Sequence, residues 1–124
     1  MEIKSKFDHF NFNVSDLDKS IKFYNDALNL VEQSRIVAKD GSFIIVYLTD
    51  KTTDFKLELT WLKDHPQKYD LGECEFHLCV RVENYDEVRK HHEEMGAVCY
   101  VNTDMGLYFI EDTDGYWIEV LEVK

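Results

Sequence analysis

With 124 residues, 44% apolar and 31% charged, the chain is long enough for one domain with a modest core, and its composition excludes a disordered segment. A formal net charge of −11 without a Lys/Arg cluster makes nucleic acid and acidic membrane surfaces poor partners. Cys74, Cys79 and Cys99 form no C-x-x-C pair, the first residues carry no hydrophobic targeting segment, and no apolar run approaches the ~20 residues of a membrane helix; reduced thiols and a cytoplasmic location are expected.

Residues 7–14 (FDHFNFNV) alternate strictly, with Phe10, Phe12 and Val14 on one face and His9, Asn11 and Asn13 on the other, which is the period of a strand. Ser15 is the expected N-cap of a helix, with Asp18 at the capping-box position and Leu17, Ile21, Tyr24 and Leu28 as its apolar stripe. Strands follow at about 31–39, 42–49 and 55–61, with a turn at Asp40-Gly41. Leu62–Gly72 has no clear period, holds the only proline, Pro66, and reads as a joining loop.

The second half repeats the plan. Residues 74–82 (CEFHLCVRV) alternate, placing His77, Cys79 and Arg81 on one face. A helix is predicted from about Asn84 to Met95, ended by Gly96. Strands at about 98–101 and 105–111 lead through a turn at Asp112-Thr113-Asp114-Gly115 to a last strand at 116–122. Aligning His9 with His77 brings Val14 onto Val82, Asp16 onto Asn84 and Asp18 onto Asp86, and each half closes with a Glu in its final strand, Glu58 or Glu119. The fold class expected is α+β: two tandem β-α-β-β-β units, about 7–61 and 74–122, forming curled mixed sheets within a single domain over 1–124.

Strand phase singles out four residues. Leu57, Leu59 and Trp61 share one face, leaving Glu58 on the other; Tyr116, Ile118 and Val120 likewise leave Glu119. Polar residues on the outer face of a half-buried strand are usually only solvated. The recurrence of His and Glu at matching places, in matching phase, argues instead that His9, Glu58, His77 and Glu119 converge on the concave side of one cup. Two imidazoles and two carboxylates suit Ni²⁺, Co²⁺, Zn²⁺, Fe²⁺ or Mn²⁺, and on an octahedral ion they leave positions open for substrate. His65, His91 and His92 read as structural or solvent-facing.

The runs S-D-L-D-K-S-I-K-F-Y after the first strand, L-E-L-T around Glu58 and D-T-D-G-Y-W-I-E at the end resemble the vicinal-oxygen-chelate superfamily over essentially the whole chain. Within it the His/Glu/His/Glu quartet is similar to glyoxalase I (lactoylglutathione lyase). The resemblance implies a homodimer, with sites sometimes shared between chains, and one divalent ion per site. Ni²⁺ or Co²⁺ is favoured in short members, with Zn²⁺ as the alternative. The substrate implied is the thiol adduct of an α-ketoaldehyde, the hemithioacetal of methylglyoxal. It would be isomerised to a lactoyl thioester through an enediolate, with Glu119 as the base and Glu58 as its counterpart on the opposite face.

Two positions depart from that pattern. Asn13 stands where the family often has an Arg holding a glutathione carboxylate, and Leu62 where it has an Asn. Arg81, four residues after the second His, occupies in repeat two the place of Asn13 and is expected to take over anion binding. The alternatives are an acyl-thioester epimerase or other metalloenzyme of the same scaffold, and a metal-free small-molecule binding module.

Overall fold

Alternating side chains organise the first sheet. In the computed structural model, which describes residues 1–124, β1 (His9–Asn13), α1 (Leu17–Leu28), β2 (Val31–Val37), β3 (Phe43–Thr49) and β4 (Lys56–Leu62) follow one another in the unit Met1–Tyr69. The sheet order is β1-β4-β3-β2, with β1 parallel to β4 and the other pairs antiparallel. One face is closed by Phe12, Val46, Leu48, Leu57 and Leu59 together with Leu17, Tyr24 and Ala27 of α1, all buried. The burial of these apolar side chains supplies the main drive for the helix to lie on the sheet. The opposite face carries His9 and Glu58.

The unit Asp70–Lys124 is built in the same way: β5 (His77–Val82), α2 (Tyr85–Glu94), β6 (Val98–Asn102), β7 (Leu107–Glu111) and β8 (Trp117–Glu122), in sheet order β5-β8-β7-β6. β5 runs parallel to β8, and the other pairs are antiparallel. Its core holds Leu107, Tyr108, Ile110, Tyr116, Ile118 and Val120. The α+β class and the doubled β-α-β-β-β plan are both present. No helix is long and apolar enough to cross a membrane.

Two local expectations are corrected, and the reading of His65, His91 and His92 as structural or solvent-facing agrees with the structure. The N-cap of α1 is Asp16, whose Oδ1 accepts a hydrogen bond from the Lys19 N–H at 3.1 Å, so Ser15 lies outside the helix. A carboxylate both accepts this bond and favours the positive helix end, which a serine hydroxyl does less well. The strand expected from residue 74 starts only at His77, because Cys74 adopts φ 53° and its N–H bonds to the Leu71 carbonyl at 3.0 Å, forming a turn. His92 is fully buried, with Nδ1 2.8 Å from the Tyr108 hydroxyl; His91 is exposed, and His65 stacks on Tyr69.

Candidate functional site

In the first unit, the parallel register of β1 and β4 sets Asn11 opposite Glu58 and His9 opposite Lys56. His9 therefore precedes the partner of Glu58 by two residues, one side-chain step along the same face. Its imidazole Nε2 lies 3.5 Å from Glu58 Oε2. Glu58 is flanked in sequence by Leu57 and Leu59, which face α1, so the core fixes the direction of its carboxylate. Only 12% of the Glu58 side chain is exposed, against 37% for His9.

Further side chains fasten this pair. Asp8 Oδ2 lies 2.6 Å from His9 Nδ1, and Lys56 Nζ lies 3.4 Å from Asp8 Oδ1. The hydrogen bond to His9 and then the one to Lys56 hold the Asp8 carboxyl below its usual pKa. An ionised carboxylate only accepts, so the contact with Asp8 favours the tautomer with the proton on Nδ1 and the lone pair on Nε2. Tyr47 of β3 stands directly opposite Glu58. Its ring meets His9 edge-on at 5.6 Å, and its hydroxyl donates to the Glu58 carboxylate, which pushes the phenol pKa up. Asn13 accepts from Asn11 Nδ2 at 2.7 Å, on the same face.

The second unit repeats the register. Cys79 stands opposite Glu119 and His77 opposite Trp117, the same two-residue lead. His77 Nε2 lies 3.3 Å from Glu119 Oε1, with side-chain exposures of 42% and 17%. The surroundings differ. Phe109 of β7 stands opposite Glu119 and meets His77 edge-on at 4.9 Å, and the residue before His77 is Phe76. The Cys79 thiol is pushed up to about 11, by burial first and then by its hydrogen bond to Glu119. Trp117 stacks on Tyr100 and packs against Phe109, giving this face an aromatic wall. Arg81 Nη1 donates to the Glu122 carbonyl at 2.8 Å, which leaves most of its five N–H donors available.

Each pair fits one side of a divalent ion. Donors about 2.1 Å from a shared metal lie about 3.0 Å apart at a right angle and about 3.4 Å apart at the tetrahedral angle. The observed separations of 3.5 and 3.3 Å match that spacing and exceed a good direct hydrogen bond. Neither unit gathers three or more His, Cys, Asp or Glu donors, so each offers two. Asp8 and Tyr47 were not singled out by sequence. Adjacent residues within a strand point to opposite faces, which hides a partner at the position before His9, and strand pattern alone does not say which β3 residue faces Glu58.

The profile of the Glyoxalase/Bleomycin resistance protein/Dioxygenase superfamily matches residues 6–120. A lactoylglutathione lyase of Neisseria meningitidis serogroup A is 31% identical, covering 94% of this chain and 89% of the relative. A probable lactoylglutathione lyase of Synechocystis is 32% identical, covering 94% of each. Among solved structures, the trypanothione-dependent glyoxalase I of Leishmania major superposes with TM-score 0.83 at 26% identity, over 96% of this chain and 87% of that one. The fosfomycin resistance protein FosX of Listeria monocytogenes shares the fold, with TM-score 0.75 at 15% identity over 98% and 95%. The chain therefore belongs to the glyoxalase/bleomycin resistance protein/dioxygenase superfamily and, within it, to the enzymes of the glyoxalase I, or lactoylglutathione lyase, kind.

Proposed function

We propose that this chain isomerises the hemithioacetal of methylglyoxal and a thiol to a lactoyl thioester, with one divalent ion held by His9, Glu58, His77 and Glu119. The observation that carries the reading is the duplicated His–Glu pair, set by the same register in both units at 3.5 and 3.3 Å. The names of the Neisseria and Synechocystis relatives support the reaction class.

When bound, the ion would supply Lewis acidity toward the two adjacent oxygens of the substrate. The remaining chemistry belongs to the chain. Glu119 takes the C1 proton and returns it to C2, while the hydroxyl proton passes from the C1 oxygen to the C2 oxygen, so the reaction is an isomerisation without net loss. A positioned general base of this kind contributes about 10²–10⁴-fold. Glu58 is the pseudo-symmetric counterpart of Glu119, at the same register position in its own unit. Arg81 and Asn13 lie on the same sheet faces as the pairs and hold the polar groups of the thiol. Ni²⁺ or Co²⁺ is the favoured ion and Zn²⁺ the alternative; the assembly is a homodimer. The three unpaired cysteines agree with a cytoplasmic site of action.

Leu62 and Asn13, at the two places where relatives are expected to grip glutathione, favour a second reading: epimerisation of an acyl thioester by the opposed Glu58 and Glu119. Loading the apo-protein separately with Ni²⁺, Co²⁺ and Zn²⁺ and supplying methylglyoxal with several thiols tests both. Turnover with Ni²⁺ or Co²⁺ is expected. Inactivity with every ion and thiol, together with activity on an acyl-thioester epimer, would replace the first reading with the second.

A further inference from the structure

The two half-sites share a register but differ in what holds them. On the first face, His9 is tied at Nδ1 to Asp8 at 2.6 Å, and Asp8 is tied to Lys56 at 3.4 Å. Glu58 lies opposite Tyr47, whose ring also braces His9 edge-on. On the second face, Phe76 stands where Asp8 would be, Phe109 where Tyr47 would be, and Trp117 where Lys56 would be. There His77 has only the edge of Phe109 against its ring, and Glu119 has only the Cys79 thiol beside it, a weak donor.

Resting on the metal reading above, we propose that Asp8 and Tyr47 are positioning residues that lock the His9–Glu58 pair into ligand geometry, while the His77–Glu119 pair is the looser half whose carboxylate moves with the proton. A carboxylate on the far nitrogen of an imidazole fixes its tautomer and ring plane, so the near nitrogen is ready to bind a cation without reorientation. A phenol directly across the strand pair from Glu58 restricts rotation of that carboxylate. A base that must shuttle between two carbons needs the opposite, and Phe109 leaves Glu119 without such a restraint. The division of labour between the two carboxylates is thus written in the residues across the sheet from them, one with a hydroxyl and one without.

The tautomer is read without any metal. In ¹H–¹⁵N spectra of the histidine rings of apo-protein, at a pH well above the ordinary imidazole value of about 6.5, His9 is expected to carry its proton on Nδ1. Asp8→Asn should lose that preference, with His77 unchanged as the internal comparison. In Ni²⁺ titrations, Asp8→Asn should bind about 10–100-fold more weakly, the usual effect of removing an outer partner of a ligand, at an unchanged apo-protein melting temperature. Tyr47→Phe should weaken binding several-fold. Phe109→Tyr, which restrains Glu119, should lower kcat several-fold while binding Ni²⁺ at least as tightly as wild type. A His9 proton on Nε2, or Asp8→Asn and Tyr47→Phe both binding Ni²⁺ as tightly as wild type, would overturn the proposal. If the wild-type protein takes up no ion, the metal reading fails by itself, and the His9 tautomer still decides whether Asp8 orients the ring.

Discussion

Single side chains carry the reaction assigned to this chain, and their surroundings separate their tasks. Glu119 is the proposed base, so Glu119→Gln should lower kcat by about 10²–10⁴-fold while retaining a folded protein, checked by steady-state kinetics beside a thermal melt. Arg81 donates one bond to the Glu122 carbonyl and keeps further donors on the face of His77. Arg81→Ala should raise KM for an anionic thiol adduct, and an unchanged KM would remove it from the binding site. Tyr108 plays no part in the reaction but reports on the core. It is fully buried beside His92, and that burial, more than the nearby Tyr85, pushes its pKa up. A phenol whose folded-state pKa lies above its unfolded value keeps its proton in the native state while the unfolded chain loses it. Stability therefore falls as pH rises past about 10. Denaturant melts should show this fall, and Tyr108→Phe should shrink it while costing about 1–3 kcal/mol at neutral pH through the partner left on His92.

Elements show what pattern alone can and cannot place. The alternation of FDHFNFNV and YWIEVLE was legible because one face of each strand is buried in the core of its unit, which fixes phase from hydrophobicity alone. The same logic set Glu58 and Glu119 opposite the buried leucine, isoleucine and valine neighbours. Helix starts were less legible. Ser15 and Asp16 are both good caps, and only the backbone turn decides that Asp16 Oδ1 reaches the Lys19 N–H. Asp16→Ala should cost about 1 kcal/mol of stability, measured by urea unfolding. An unchanged stability would place the cap wrongly. The pairing of β3 with β4 and of β7 with β8 is set by turn geometry, which hydropathy does not encode. For that reason Tyr47 and Phe109 escaped the sequence reading although they face the two glutamates, and Asp8 escaped it because β1 begins only at the next residue.

On the scale of the whole molecule, the duplication gives the fold its economy: one β-α-β-β-β unit, written twice, yields two sheets with the same strand order and the same His–Glu offset. The copies diverge in, among other places, what surrounds the pairs. Copy one carries Asp8, Lys56, Tyr47 and Asn13, and copy two carries Phe76, Trp117, Phe109 and Arg81. A net charge of −11 adds a field that draws cations toward the chain and repels polyanions, without itself defining a site. The central claim is that both copies serve a single ion, and calorimetric titration of apo-protein with Ni²⁺ tests it most directly. The account predicts one ion per chain, with high-affinity binding lost in His9→Ala and equally lost in His77→Ala. Two independent ions per chain, undiminished binding in either variant, or no uptake by the wild-type protein would contradict it.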